Sequence, residues 1–210
     1  NSGIIRGVSS EGMCCALYEL GVDKNFLSEK QASGIEELDD NAPIGEENVL
    51  RYLHLDDYIL DINVLANRSD CLAIYSLAKE LGALFDRKVN IPEYHFDNEA
   101  NSNIKVNSLT KDCPQFSVKE INNIVVKESP KWLKSFLISS GIRSINNIVD
   151  IGNFVMLLTG QPLHMYDKDK LTSDEFIVRN DVECDFVALD DKTYQIKNGD
   201  ICVTVDNKVC

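Results

Sequence analysis

Apolar residues recur at helical spacing in three stretches of the chain, residues 69–85, 129–141 and 144–160. In the first stretch they follow one another at intervals of three and four, and Ser69 or Asp70 is the predicted N-cap. This stretch has the strongest helical pattern of the chain. We therefore expect an amphipathic helix here, with its apolar side packed against the rest of the protein.

The other two helices are predicted from the residues at their ends as well as from their apolar faces. Ser129 precedes Pro130, the preferred order of an N-cap and a first-turn proline, and Gly141 stands where a C-terminal cap belongs. Ser144 and Gly160 are the corresponding signals of the next helix. Both serines are therefore expected to cap helices.

Strands are predicted where apolar and polar residues alternate or where β-branched residues cluster. A first strand should run into a turn at Ser9–Gly12, ahead of a short helix over Met13–Leu20 that Gly21 closes. Strands together with helices favour an α+β fold with a mixed, mostly antiparallel sheet. The other predicted strands cover residues 58–64, 104–106, 115–126, 176–179, 186–189, 194–196 and 201–205, with a last one reaching Val209-Cys210.

Charge and hydropathy limit the classes of function. The 210-residue chain has 34 Asp and Glu against 21 Lys and Arg, a formal net charge of −13, which disfavours independent binding of nucleic acid. No apolar run reaches the roughly 18 residues of a membrane span. The first residues lack the layout of an export signal. We expect a cytoplasmic protein without membrane contact.

The spacing of cysteine and histidine predicts neither a metal site nor a disulfide framework. None of the seven cysteines forms a C-x-x-C pair, and the three histidines are far apart in sequence. Free cysteines usually pack as small apolar side chains, so buried free thiols are expected. The residues concerned are Cys14, Cys15, Cys71, Cys113, Cys184, Cys202, Cys210, His54, His95 and His164.

His164 is the titratable residue that stands out. It follows a Gly-Gln-Pro turn directly after a predicted helix, and functional residues often lie in such loops. Its imidazole suits proton transfer, or the orientation of water or of a sugar hydroxyl. A buried, hydrogen-bonded histidine without a chemical role is the alternative.

Arg143 precedes Ser144, and its guanidinium could hold a phosphate or carboxylate through two hydrogen bonds. A surface ion pair is the alternative. Asn146-Asn147 should hydrogen-bond backbone at the helix start, and Asn153 either faces the same pocket as Arg143 or makes a bond between helices. Gly152 interrupts the helix at a cost of about 1 kcal/mol relative to Ala and so requires a reason.

Residues 141–167, GIRSINNIVDIGNFVMLLTGQPLHMYD, resemble without gaps a segment of the beta subunits of bacterial phenylalanyl-tRNA synthetases. The pattern of that family is G-I-R-P-I-N-N-V-V-D-x-T-N-Y-V-M-L-E-x-G-Q-P-L-H-A-F-D. Residues 6–16, 60–84 and 113–126 resemble further stretches of the same subunit, in the expected order. The resemblance covers nearly the whole chain.

The resemblance implies three parts. Residues 1–41 would be the remnant of an EMAP-like, OB-fold tRNA-binding domain, residues 42–95 a small helical domain, and residues 96–210 a B3/B4-like editing domain truncated at its C-terminus. A polar passage at Asp97–Asn103 is the predicted linker. A glycine-rich turn and a glutamate that complete the family's pocket would lie beyond Cys210, so the chain alone is expected to be inactive.

The resemblance also implies an activity. In the family, two alpha and two beta chains form a heterotetramer that attaches phenylalanine to tRNA(Phe) with ATP and magnesium. Synthesis takes place in the alpha subunit, so no cofactor is expected in this chain. The B3/B4 domain hydrolyses mischarged tyrosyl-tRNA, because a phenylalanine pocket cannot fully exclude one extra hydroxyl.

By position, His164, Arg143 and Asn153 match residues of the family's editing pocket. We interpret His164 as positioning the attacking water or the terminal ribose, and Arg143 as holding the ester end or a phosphate. Gly152 replaces a threonine of the family pattern. This replacement indicates either a larger pocket or weakened editing.

Two other classes of function stay open at this point. The chain could be a non-catalytic module that binds RNA or a partner protein and retains a degenerate editing pocket. It could also be a free-standing amino-acid-sensing domain, which the OB-like start disfavours. Deacylation of mischarged tRNA by the complete parent enzyme separates the first alternative from editing.

Overall fold

The computed structural model describes residues 3–94 and 102–210 and shows a mixed α+β fold, as predicted. Two compact units are present, one comprising the chain up to Ile91 with Val126–Met165, the other Pro92–Val125 with Tyr166–Cys210. The helices are α1 (Glu29–Ser33), α2 (Val49–Tyr52), α3 (Ile74–Leu84), α4 (Lys131–Ser139) and α5 (Asn147–Thr159). The strands are β1 (Gly3–Ile5), β2 (Val8–Ser10), β3 (Lys105–Ser108), β4 (Glu175–Arg179), β5 (Cys184–Val187), β6 (Thr193–Ile196), β7 (Cys202–Val205) and β8 (Lys208–Val209).

The second unit is built on a sheet with the strand order β3–β4–β7–β8. β3 pairs with β4 in parallel, while β4–β7 and β7–β8 are antiparallel, which confirms the predicted mixed sheet. Phe176 and Val178 lie two residues apart on β4 and therefore face the same side, where each is 1% exposed. β5 and β6 form a separate antiparallel hairpin.

The first unit buries a small apolar cluster, against which Ile138 of α4 packs. A buried hydrogen bond lies beside it, in which the Ser135 hydroxyl donates to the Leu53 carbonyl oxygen at 2.9 Å. This bond satisfies a carbonyl at the C-terminal end of α2, where the helix itself supplies no donor. The cluster consists of Leu17, Val22, Leu27 and Leu53.

The carboxylate of Asp150 connects α4 and α5. Asp150 is 0% exposed and accepts hydrogen bonds from the Ser129 and Ser144 hydroxyls, both at 2.5 Å, and from the Ile145 N–H at 2.8 Å. The prediction that both serines cap helices is wrong, since the N-caps of α4 and α5 are Pro130 and Asn146. Their hydroxyls instead satisfy a buried anion, which needs donors more than an exposed helix end does.

Of the two asparagines at the start of α5, Asn146 caps the helix and Asn147 bonds the preceding backbone. Asn146 is the N-cap, and its side chain accepts from the N–H groups of Ile148 and Val149. Asn147 pairs with Lys127 twice, since its side-chain oxygen accepts from the Lys127 N–H at 3.0 Å and its own N–H donates to the Lys127 carbonyl at 2.9 Å. The predicted bonds from this Asn pair to backbone are confirmed.

Aromatic residues complete the contact between α4 and α5. The Phe154 ring packs edge-to-face against Trp132 and Phe136, with ring centroids 5.4 and 5.0 Å apart. This geometry sets the positive ring edge against the negative face of its neighbour. Leu133 and Leu137 of α4 are 1% and 0% exposed. The predicted apolar face of this helix is therefore buried, apart from the half-exposed Trp132.

Helix α3 confirms the strongest helical pattern, but its predicted caps are wrong. The N-cap is Ala73, without a side-chain hydrogen bond, and a 3₁₀ segment, Ala66–Leu72, precedes it. Asp70 instead forms an ion pair with Arg68 at 3.0 Å. A charged partner outcompetes the helix end, since hydrogen bonds between ionised groups are stronger than neutral ones.

Two predicted strands are not formed. Residues 58–64 and 115–126 adopt neither strand nor helix. Their apolar side chains are largely exposed, as for Tyr58 at 95% and Val125 at 71%. Alternation makes a strand only where a neighbouring strand supplies hydrogen bonds and a core covers one face, and the pattern alone specifies neither.

The N-terminal region contains further differences from the predicted elements. The first hairpin turns at Arg6-Gly7, whose φ values of 49° and 81° are left-handed, and not at Ser9–Gly12. The predicted short helix is a 3₁₀ turn, Leu17–Leu20, closed by Gly21 as expected. Helix α1 was missed, although its capping box of Ser28 and Gln31 is a recognised start signal. Most of the predicted linker falls on residues 95–101, outside the described residues.

Replacing Asp150 with alanine is expected to lower the free energy of unfolding by about 3 kcal/mol, because three hydrogen-bond donors lose a buried charged acceptor. The matched control is Asp61→Ala, which removes an exposed carboxylate and should change stability by less than about 0.5 kcal/mol. Urea unfolding of both variants measures the difference. Equal stabilities would show that the Asp150 bonds contribute nothing net.

Candidate functional site

The four residues that the sequence singles out lie in the first unit, on α5 and the segments that flank it. Arg143 is in the loop between α4 and α5, Gly152 and Asn153 are in the middle of α5, and His164 follows the helix. Arg143 and His164 are exposed, Asn153 is half-buried and Gly152 is buried. The alternative reading of His164 as a buried core histidine is therefore wrong.

Gly152 allows the segment around His164 to approach α5 closely. A Cβ atom at position 152 would lie 3.0 Å from Met165 Cε and 3.9 Å from Leu163 Cβ. Leu163 and Met165 flank His164 in sequence, so the glycine and the predicted catalytic segment are brought together. The structure thus supplies a packing reason for a glycine inside a helix.

Met165 occupies the space that a side chain at position 152 would require. In the family pattern that residues 141–167 resemble, position 152 carries threonine and position 165 alanine. This chain has a smaller residue at the first position and a larger one at the second. The two differences are opposite in volume, and the tip of the partly exposed Met165 side chain covers Gly152. A larger pocket at Gly152 stays a prediction.

Arg143 lines a cavity of about 330 Å³ within the first unit. Apolar residues contribute part of the lining, among them Phe26, Leu27 and Ile138. Across residues 3–94 and 102–210, no hydrogen bond or ion pair of the Arg143 guanidinium is found. The guanidinium is therefore available for an external anion, in contrast to the surface ion pair considered above.

The other cations at this cavity are neutralised by carboxylates. Lys30 Nζ lies 3.1 Å from Glu37, and Lys134 Nζ lies 2.8 Å from Glu128. The hydrogen bond from Lys134 holds the pKa of Glu128 below its usual range, so this carboxylate stays ionised at neutral pH. Among the described residues that line the cavity, Arg143 is therefore the cation without a carboxylate partner that an entering anion would contact.

The residues that line this cavity do not include His164, Gly152 or Asn153, although the described residues contain all three. The structure therefore brings Gly152 together with the His164 segment, whereas Arg143 lies at a cavity that other residues line. A pocket shared by Arg143 and His164 stays a prediction.

Sequence reasoning missed Asp150, which fixes the loop that carries Arg143. Two signals were available, an acidic residue in the first turn of an otherwise apolar helix, within the run INNIVDI, and the aspartate that the quoted family pattern has at the same place. An acidic residue there is favourable for the helix dipole and so attracts no attention. Its burial depends on Ser129, 21 residues earlier, which no local pattern reveals.

The cysteines are free thiols, but only two of them are buried. Cys71 and Cys202 fit the expectation, and burial raises the pKa of both thiols. The expectation is wrong for the others, which lie in loops, in the β5–β6 hairpin and at the chain end. These are Cys14, Cys15, Cys113, Cys184 and Cys210.

The described residues form neither a metal-binding cluster nor a membrane-spanning helix. Among residues 3–94 and 102–210, no group of three or more His, Cys, Asp or Glu side chains could hold a metal ion. Within the same ranges, every helix is too short or too polar to cross a membrane.

Comparison with known proteins places the chain beside one group of enzymes. Residues 112–210 match the B3/4 domain family. The chain is 36% identical over 207 residues to the phenylalanine–tRNA ligase beta subunit of Oceanobacillus iheyensis, covering 95% of this chain and 25% of that protein. Over 210 residues it is 36% identical to the beta subunit of Streptococcus pneumoniae strain R6, covering 98% of this chain and 26% of that protein.

A third relative is similar to the same extent. The beta subunit of Staphylococcus aureus strain RF122 is 36% identical over 205 residues, which are 95% of this chain and 26% of that protein. The chain thus spans about a quarter of the length of the curated relatives it matches. Similarity over nearly the whole chain agrees with the resemblance found in the sequence.

Introducing threonine at position 152 is expected to destabilise the protein by no more than about 1 kcal/mol, because the new Cβ would lie 3.0 Å from Met165 Cε, the end of a flexible side chain that has to move aside. Adding Met165→Ala removes this contact and should remove the cost, whereas Met165→Ala alone should have a small effect since Met165 is 38% exposed. Thermal unfolding of the single and double variants gives the coupling energy. Additive effects would contradict this contact.

Proposed function

We propose that this chain is part of the beta subunit of a phenylalanine–tRNA ligase, which attaches phenylalanine to its tRNA at the expense of ATP. The observation that carries this proposal is the similarity of 95–98% of the chain to beta subunits from several bacteria. The partners would be the alpha subunit and tRNA(Phe), in a cytoplasmic assembly of two alpha and two beta chains. ATP and magnesium would act in the alpha subunit.

The region that includes residues 112–210 would hydrolyse mischarged tyrosyl-tRNA. Tyrosine differs from phenylalanine by one hydroxyl, and an apolar pocket rejects such an analogue only weakly, so a second hydrolytic site raises accuracy. The B3/4 family match supports this assignment.

His164 would position the attacking water or the terminal ribose of the tRNA. Its exposure leaves the imidazole accessible to a substrate. Met165 and Leu163, its neighbours in sequence, pack towards Gly152, which places the segment beside α5. An exposed imidazole beside a helix suits the orientation of a nucleophile, since precise placement contributes strongly to rate.

Arg143 would hold the ester end or a phosphate of the aminoacyl-tRNA. Its guanidinium has no partner in the described ranges, while the neighbouring lysines are paired. Bidentate binding of an anionic oxygen pair is the task to which a guanidinium is best suited. Asn153 and Gly152 would contribute to the wall of the same editing pocket.

The second candidate is a non-catalytic module with a degenerate editing pocket. Gly152 favours it, because the family's threonine hydroxyl is absent. The net charge of −13 disfavours independent RNA binding, so tRNA would have to be held largely by other parts of the assembly. This candidate predicts that the complete wild-type enzyme leaves tyrosyl-tRNA intact.

In the complete beta subunit that carries this sequence, assembled with its alpha subunit, His164→Ala should lower kcat/KM for deacylation of tyrosyl-tRNA about 100-fold. Charging of tRNA with phenylalanine should stay unchanged. The control is His54→Ala, which removes another exposed histidine of the first unit. Release of tyrosine from preformed tyrosyl-tRNA measures the effect, and unchanged deacylation would remove His164 from the site.

A further inference from the structure

We propose that Asp150, acting through Ser144, is a positioning residue that holds the Arg143 loop in the geometry required for substrate binding. The inference rests on the proposed editing function, and it assigns a task to two residues that do not themselves touch the substrate. It follows from how the loop is fixed on both sides of Arg143.

On the C-terminal side of Arg143, two consecutive residues are bound to one carboxylate. The Ser144 hydroxyl donates to Asp150 Oδ2 at 2.5 Å, and the Ile145 N–H donates to Oδ1 at 2.8 Å. The Asp150 carboxylate is completely buried. Breaking one of these bonds is costly, because water cannot reach the buried carboxylate to replace the lost donor.

On the N-terminal side, the loop is fixed to the end of α4. The Ile142 N–H donates to the Leu137 carbonyl at 2.8 Å, and the Gly141 N–H donates to the Ile138 carbonyl at 3.0 Å. Gly141 has a φ of +77°, the left-handed conformation of a helix-terminating glycine. Leu137 is 0% exposed, so this anchor is also part of the core.

Arg143 therefore combines a fixed backbone with an exposed side chain that has no partner within the described ranges. If the loop were mobile, its backbone would lose conformational entropy when Arg143 binds a substrate. A loop that is already fixed has lost this entropy on folding, so binding does not include that cost. The bonds of Asp150 thus reduce the cost of substrate binding. Loosening the loop should weaken binding more than it slows the chemical step.

Ser129 offers a matched control. Its hydroxyl donates to the same Oδ2 atom of Asp150 at the same 2.5 Å, but it lies at the start of α4 and not next to Arg143. Ser129→Ala and Ser144→Ala each remove one hydroxyl from the same acceptor. A purely structural role predicts the same kinetic consequence for both variants.

The experiment compares both variants in the complete beta subunit assembled with its alpha subunit. Ser144→Ala should raise KM for tyrosyl-tRNA deacylation about tenfold with little change in kcat, whereas Ser129→Ala should leave both constants within about twofold of wild type. Ser144→Thr, which keeps the hydroxyl, should have the KM of the wild type. On an Arg143→Ala background, Ser144→Ala should add nothing, since the residue it positions is gone.

The outcomes separate this inference from the proposed function. Equal kinetics of Ser129→Ala and Ser144→Ala, with deacylation impaired by Arg143→Ala, would overturn the positioning role and leave the editing site standing. Deacylation unaffected by both Arg143→Ala and His164→Ala would overturn the editing site and the positioning role together.

Discussion

The buried carboxylate of Asp150 is the interaction on which the arrangement around α5 depends. It joins the start of α4, the loop before α5 and the first turn of α5 at one point, through Ser129, Ser144 and the Ile145 N–H. A buried carboxylate is tolerated only when several donors satisfy it, so the segments that carry these donors have to lie around it. With the Phe154 contacts to α4, it fixes the helix from which the candidate site is built.

Local patterns predicted the elements better than the roles of individual polar residues. Apolar periodicity located α3, α4 and α5, because an amphipathic face is repeated along the helix itself. Ser129, Ser144 and Asp70 were assigned to helix caps, yet each side chain bonds a charged residue instead. A polar side chain beside a helix end caps it by default, but it bonds a charged side chain instead where the fold brings one near. The unformed strand at residues 58–64 has a similar cause, since pairing requires a neighbour that the segment does not encode.

The candidate site was predictable to a different depth for each residue. The resemblance located Arg143 and His164, and composition alone would have left them ambiguous. The cavity beside Arg143 could not be foreseen, because Phe26 and Leu27 reach it from more than a hundred positions earlier in the chain. The fit of Met165 against Gly152 joins residues 13 positions apart across the end of a helix. It becomes visible only when the direction of the chain after Gly160 is known.

An acidic chain can still present a binding site for an anionic substrate if its cations are unequally paired. The net charge of −13 describes the field at a distance, which salt screens over about 10 Å. Close to the cavity, Lys30 and Lys134 are neutralised by Glu37 and Glu128, and these pairs add little net attraction. Arg143 differs from them because it has no carboxylate partner in the described ranges, and its loop is hydrogen-bonded to Asp150. Selectivity for an anionic group would then come from this one guanidinium and its fixed position, while the attraction of a whole tRNA would come from the rest of the proposed enzyme.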